Sequence, residues 1–551
     1  MEILKIEKLS FSYPNNSVLE NLDLSIEKGT FNIICGSTGC GKTTLLRLLK
    51  NEIRPRGQIS GKILYNDFDL FKLDRITSTS KIGYVFQNPD NQIISDKVYS
   101  ELAFGLENLG IERSEMKRRI AEISSFFGIE SLFSKDTMNL SGGEKQLVNL
   151  ASVMVMEPEI LLLDEPTSQL DPIAAYNFLR IIKKINEELG TTILIVEHKM
   201  EDILSLADKL IILDNKKIVA NDSPREVCEK IKKEKINISS IFNFPASFRI
   251  YKEFNNTGEA PLSVNEGRMY ITNNFKNKVS SLNKKEVLYL NNIIELKNVS
   301  FKYNKNDDYI LNDLSLTIKQ GEVFSIVGGN GVGKSTLLNI IAGNIKPLSG
   351  KIIIDSKKIT DYKKNELYKN NIVFLPQNPD DLFICDNVYD ELKEMNRINV
   401  NDDFPERLNN VIEDLQLSHL LNKHPYDLSG GEKQKVAIGK ILLLNPKIIL
   451  LDEVSKGLDG ENKQKLIKLI KSLQNKQITI VLVTHDLEFS SLVSNRCGIL
   501  FNGDLMSVSN TTDFYSTNNF YTTAVSRMTK VIYNKIITVE DAISILKENE
   551  I

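Results

Sequence analysis

The sequence predicts an α/β fold in which one domain occurs twice, and three observations carry that expectation. Gly36-Ser37-Thr38-Gly39-Cys40-Gly41-Lys42-Thr43 and Gly328-Gly329-Asn330-Gly331-Val332-Gly333-Lys334-Ser335 both fit the pattern G-x-x-x-x-G-K-[ST]. Their lysines lie 292 residues apart in a chain of 551. Other landmarks recur in the same order at offsets of 287 to 290 residues: Tyr13 with Tyr303, Gln87 with Gln377, Ser141 with Ser429, Glu165 with Glu453 and His198 with His485. An offset this steady over whole halves indicates a duplicated domain rather than a short solenoid repeat. Solid apolar runs, Phe31–Cys35 and Val323–Val327, precede the two loops, and helical patterns such as Thr44-Leu45-Leu46-Arg47-Leu48-Leu49 follow them. That is the strand–loop–helix context the motif needs.

The landmarks divide the chain into a first domain over 1–235, a connector over 236–292, a second domain over 293–510 and a tail over 511–551. The connector is rich in Asn, Lys and Ser and is broken by Pro245 and Pro261. Its Ile241, Phe242, Phe244, Phe248 and Tyr251 are expected to dock it rather than leave it free. The tail is expected to end in a short helix over 539–546.

Composition narrows the class. A chain this long exceeds one core. The 41% apolar and 26% charged content is that of soluble globular protein, and a net charge of −3 argues against coating nucleic acid non-specifically. No run of about 18 apolar residues encodes a membrane span, and the start, Met1-Glu2-Ile3-Leu4-Lys5, lacks a secretory pattern. Five scattered cysteines without a C-x-x-C pair suit reducing cytoplasm.

Each motif has a chemistry. The glycines let backbone N–H groups turn inward around phosphate oxygens at a helix N-terminus. Lys42 and Lys334 can reach the β- and γ-phosphates, and Thr43 and Ser335 can ligate Mg²⁺, with Thr44 and Thr336 next in line. Ile160-Leu161-Leu162-Leu163 leads into Asp164-Glu165, and Ile448-Ile449-Leu450-Leu451 into Asp452-Glu453. Acids at the carboxyl end of a buried strand face the crevice where open α/β sheets bind ligands. Asp164 and Asp452 suit Mg²⁺, and Glu165 and Glu453 suit a general base that polarises water. L-S-G-G-E-K-Q occurs twice, at Leu140-Ser141-Gly142-Gly143 onward and Leu428-Ser429-Gly430-Gly431 onward. Ser followed three residues later by Glu is a capping box, so both should open helices. Capping demands no glycines; these leave N–H groups bare for a phosphate.

With these motifs the chain resembles the ATP-binding-cassette (ABC) ATPases over nearly its whole length. The resemblance implies two tandem P-loop NTPase domains, each with a RecA-like core and a helical subdomain. It also implies that each ATP lies between the phosphate loop of one domain and the signature of the other, so that Lys42 shares ATP with Ser429 and Gly431, and Lys334 with Ser141 and Gly143. Tyr13 and Tyr303 match the ring that stacks on adenine. Gln87 and Gln377 match the glutamine that senses Mg²⁺ and water, His198 and His485 the histidine at the γ-phosphate, and Asp171 and Asp459 the aspartate loops. Both halves keep the lysine, glutamine, signature serine, acid pair and histidine, so two hydrolysing sites are expected.

Segments outside this core resemble the fused, double-cassette branch of the energy-coupling factor (ECF) ATPases. Gln87 and Gln377 are followed by Asn88-Pro89-Asp90-Asn91-Gln92 and Asn378-Pro379-Asp380-Asp381-Leu382, the connector carries PLSVNEGR at 261–268, and the tail carries FYTTAVSRM at 520–528. The resemblance implies a peripheral ATPase at the cytoplasmic face of the cell membrane. It would work with a membrane coupling subunit and a membrane substrate-binding subunit in uptake of a vitamin or other micronutrient, leaning toward thiamine or its precursor, without direct contact to nucleic acid. Asp90, Asp380 and Asp381 are expected to help dock basic coupling helices. The alternatives are a ribosome-associated tandem ATPase, which usually has a long basic helical connector, and a sugar-importer ATPase, whose second site is typically degraded.

Overall fold

The apolar runs become the central strands of two six-stranded sheets in the computed structural model, which describes residues 1–14, 16–234, 239–255, 258–275, 289, 291–363, 366–398 and 403–549. In the first sheet the order is Lys217–Asp222, Lys209–Asp214, Phe31–Cys35, Thr192–Val196, Ile160–Asp164, Ile82–Val85. The second repeats it as Asp504–Asn510, Arg496–Phe501, Val323–Val327, Thr479–Val483, Ile448–Asp452, Ile372–Leu375. All neighbours are parallel except the first pair of each sheet. Every residue of Phe31–Cys35, Ile160–Asp164 and Thr192–Val196 is buried, as parallel strands covered on both faces must be. Burying a Leu or Ile side chain stabilises by about 1.5–3 kcal/mol, which holds such runs at the centre of the sheet.

A smaller antiparallel sheet accompanies each large one, with Asn16–Glu27, Glu2–Tyr13, Gln58–Tyr65 and Phe68–Asp69 in the first and Leu311–Lys319, Asn292–Phe301, Ser349–Ile354 and Lys357–Lys358 in the second. Its strands alternate, with Leu22, Leu24 and Ile26 buried and Asp23 and Glu27 exposed. Its inner face shares one apolar core with the helix Lys42–Leu48 and the large sheet, through Leu22, Leu24, Leu45, Leu162 and Leu194. A helical region follows each glutamine, built from Val98–Asn108, Arg113–Phe127 and Gly142–Met154, and from Val388–Ile398, Phe404–Asp414 and Gly430–Leu442.

The chain forms two compact units, one of Met1–Asn274 with Asp459–Glu461 and one of Phe275–Leu458 with Asn462–Ile551. Of the connector expected over 236–292, residues 236–238, 256–257, 276–288 and 290 lie outside the described residues. Its helices Ala246–Tyr251 and Val264–Asn274 belong to the first unit, with Phe244, Phe248 and Tyr251 buried. In the second unit the tail forms helices Thr511–Thr517, Ala524–Thr529 and Val539–Glu548, burying Phe514, Tyr515, Met528 and Ile545. Among the described residues no helix is long and apolar enough to cross a membrane.

Candidate functional site

Strand register brings the predicted residues to the carboxyl ends of adjacent central strands in each unit. Ile34 and Asp164 both pair with Val196, so the phosphate loop, the acid pair and His198 emerge side by side. Ile326 and Asp452 pair with Val483 in the same way, ahead of His485.

The phosphate loops owe their shape to glycine. Gly41 (φ 103°) and Gly333 (φ 98°) cap the helices Lys42–Leu48 and Lys334–Ile341 in the left-handed region. A Cβ there would fall 2.7 Å from Leu19 Cδ2 or 2.5 Å from Ile310 Cγ2, so only glycine fits. Buried Lys42 donates from Nζ to the carbonyls of Gly36 (3.0 Å) and Ser37 (2.8 Å), and Lys334 to those of Gly328 (3.1 Å) and Gly329 (2.8 Å). An ammonium at a helix N-terminus, where peptide dipoles point their positive ends, makes an anion site.

Beside each loop sits the acid pair. The Thr43 hydroxyl donates to Asp164 Oδ1 (2.9 Å) and the Tyr84 hydroxyl to Asp164 Oδ2 (3.1 Å). Burial first, and then the Glu165 charge, lifts the Asp164 carboxyl above its ordinary value, and burial does the same to Asp452. Such carboxylates gain from a cation. Asp452 Oδ1 is buried without a hydrogen-bond partner among the described residues, and hydroxyl and carboxylate oxygens are the hard donors that Mg²⁺ takes. The residues therefore fit Mg²⁺ carried on phosphate. Among the described residues no cluster of three or more His, Cys, Asp or Glu could hold a metal by itself.

Glu165 and Glu453 are the strained members. Both have left-handed backbone, with φ of 46° and 51°, which costs about 1–3 kcal/mol for a non-glycine residue and clusters at functional sites. Their N–H groups donate to the carbonyls of Val196 (3.0 Å) and Val483 (2.9 Å), which keeps them at the carboxyl ends of the central strands. His198 Nε2 lies 2.7 Å from Glu165 Oε1, and His485 Nδ1 lies 2.8 Å from Glu453 Oε2. Burial opposes ionisation of both glutamates, but the hydrogen bond and charge of the histidine and the nearby lysine outweigh it and hold the carboxyls below their ordinary value. Each is thus a permanent anion able to accept a proton from water.

The halves differ at the glutamine. Gln87 is half-buried and donates from Nε2 to Glu165 Oε2 (2.9 Å). Gln377 is exposed, and no hydrogen bond joins it to Glu453 among the described residues. Tyr13 and Tyr303 present partly exposed rings beside the loop helices, their hydroxyls 3.5 Å from Thr44 and 3.2 Å from Thr336.

The signature segments lie at helix starts, as the capping box requires: Glu144 accepts from Ser141 N–H and Glu432 from Ser429 N–H, both at 2.8 Å. Asp171 caps the helix Pro172–Leu189 through Ile173 and Ala174 N–H groups. Asp90 and Asp380, expected to help dock a partner, pair within their own halves, with Lys145 at 2.6 Å and Lys433 at 2.8 Å, and Asp381 accepts from Asn378 (3.1 Å).

Sequence reasoning passed over several residues that the fold brings in. Tyr84 holds Asp164, and Glu197 sits buried behind Glu165, bonded to Thr167. Ile94 and Ile384 are 70% and 75% exposed at matching places. Their common offset of 290 residues was the available signal for the last pair.

The ABC transporter family profile matches residues 19–168 and 311–456. A "Putative ABC transporter ATP-binding protein" of Bacillus thuringiensis subsp. konkukian is 39% identical over 548 residues, covering 98% of this chain and 97% of the relative. The "Putative HMP/thiamine import ATP-binding protein" of Bacillus subtilis is 31% identical over 523 residues, covering 91% of each. The archaeal ribosome recycling factor aABCE1, solved with the stalk protein aP1, superposes with a TM-score of 0.59 at 21% identity over 93% of this chain and 91% of that one, a likeness of fold. The two matched cassettes, the paired phosphate loops and the full-length relatives make this chain a member of the ABC transporter family, an ATPase with two ATP-binding domains in one polypeptide.

Proposed function

We propose that the chain is the ATP-hydrolysing subunit of an ECF-type importer, bound peripherally at the cytoplasmic face of the cell membrane, where it drives uptake of a vitamin or related micronutrient through membrane subunits. The phosphate-loop N–H groups with Lys42 and Lys334 hold the β- and γ-phosphates, and Tyr13 and Tyr303 stack on adenine. Thr43, Asp164 and Gln87 hold Mg²⁺ in the first half, and Ser335, Asp452 and Gln377 in the second. Bound Mg²⁺ supplies charge neutralisation of the phosphate oxygens. Glu165 and Glu453 orient the attacking water and accept its proton, while His198 and His485 fix those carboxylates and reach toward the γ-phosphate.

The observation that carries the membrane-partner reading is a pair of matched, pre-formed apolar turns. Buried Glu101 accepts from the N–H groups of Ile94 (3.0 Å) and Ser95 (2.8 Å), and buried Glu391 accepts from Ile384 and Cys385. A buried carboxylate thus fixes each turn with its isoleucine outward, and Tyr99 and Tyr389 stand half-exposed nearby. Single exposed apolar residues are ordinary, but the same isoleucine and tyrosine exposed on both halves support an apolar contact face for a partner. The nutrient reading is supported by the thiamine-import relative. The test is affinity purification from detergent-solubilised membranes. Small integral membrane proteins should co-purify with the wild-type chain and be lost from Ile94→Asp/Ile384→Asp, which should keep its ATPase activity. Co-purifying ribosomes in place of membrane subunits would overturn the reading.

A further inference from the structure

The two halves part company behind the base glutamates. In the first half the strand Thr192–Val196 runs into Glu197, which is 3% exposed. Its Oε1 accepts from both the N–H (3.1 Å) and the hydroxyl (2.7 Å) of Thr167, two residues beyond Glu165. The equivalent place in the second half holds Thr484, fully buried, whose hydroxyl lies 3.3 Å from that of Ser455. The backbone is the same in both, since Glu197 N–H reaches the Ile34 carbonyl (3.4 Å) and Thr484 N–H the Ile326 carbonyl (3.2 Å). A buried carboxyl therefore stands in the first half where the second has the Thr484 hydroxyl, and both halves keep a hydroxyl facing it, from Thr167 and Ser455.

We propose that Glu197 is a positioning residue of the first ATP site, which sets the segment after Glu165 through Thr167 and makes hydrolysis there respond to proton concentration in a way the second site does not. The proposal rests on the assignment of Glu165 and Glu453 as bases. The charged groups facing Glu197 are Glu165, from the segment after Ile160–Asp164, and His198, next in the chain. From the strand Phe31–Cys35 it meets the Ile34 carbonyl. Lys42 acts on Glu165. Burial, with the Glu165 charge adding to it, pushes the Glu197 carboxyl up to about 7. Below that pH it is neutral and above it anionic. The new negative charge strengthens the two hydrogen bonds that Glu197 accepts from Thr167 and so holds the segment after Glu165 more firmly. First-site turnover should rise as pH increases through about 7, by roughly threefold to tenfold beyond the rise of the second site.

The experiment is steady-state ATPase of the full chain from pH 6 to 8. Wild type is compared with Glu197→Gln, which keeps the acceptor and the shape, and Glu197→Thr, which copies the second half. Site-resolved profiles come from Glu453→Gln and Glu165→Gln, which silence the second and first sites. The proposal predicts that the inflexion near pH 7 is present in wild type and Glu453→Gln, absent in Glu165→Gln and in both Glu197 variants, and confined to kcat, with KM for ATP unmoved. A purely structural role would lower activity equally at every pH. Wild-type and Glu197→Thr profiles of the same shape, or the same inflexion in Glu165→Gln, would overturn the proposal. Wild-type turnover in Glu165→Gln at every pH would instead overturn the base assignment beneath it.

Discussion

Gly142 and Gly430 open their helices without a steric reason to be glycine. Neither has a left-handed φ. A Cβ on Gly142 would meet nothing closer than the Gln169 carbonyl at 3.9 Å, and one on Gly430 would meet nothing within 4 Å. The fold would accept alanine, which gains about 0.5–1 kcal/mol over glycine inside a helix. If the bare N–H groups serve a phosphate, Gly430→Ala should keep or raise the melting temperature while ATPase activity falls at least several-fold. Unchanged activity would return these glycines to plain helix starts. The contrast with Gly41 shows why sequence separates such cases poorly: both are glycines at helix starts, yet only Gly41 is forced by φ and by Leu19. The left-handed backbone of Glu165 and Glu453 was likewise hidden, because strand-end acids give no sign of a dihedral imposed by the neighbouring strand.

At the scale of elements, periodicity read well where one segment decides its own state. The solid runs became buried strands, the two capping boxes opened helices, and the tail pattern over 539–546 falls within Val539–Glu548. What escaped the sequence depends on two distant segments meeting. Lys145 of the signature helix and Asp90 after Gln87 are 55 residues apart and bonded, and Lys433 repeats the contact with Asp380. Each pair ties the glutamine segment to the helix that carries the signature. With Asp90 64% exposed, the pair contributes only about 0–1 kcal/mol to stability, so its effect should appear in activity. Lys145→Glu should lower ATPase activity several-fold with little change in melting temperature. The swap Asp90→Lys/Lys145→Glu should restore most of it, and a swap no better than the single variant would remove the coupling role.

At the scale of the whole molecule, duplication has preserved architecture more closely than chemistry. Strand order, phosphate loops, acid pairs and capped signature helices repeat, while Gln87 engages Glu165 and Gln377 stands exposed, and Glu197 faces a site where its counterpart is Thr484. Both halves nonetheless keep a lysine, an acid pair and a histidine on the base glutamate, so both are expected to hydrolyse ATP. The direct measurement is ATPase turnover of the wild-type chain, Glu165→Gln, Glu453→Gln and the double variant. Each substitution should remove its own site's contribution, by roughly 10²–10⁴-fold, and the double variant should be as inactive as the buffer allows to be measured. Wild-type turnover in either single variant would contradict hydrolysis at both sites.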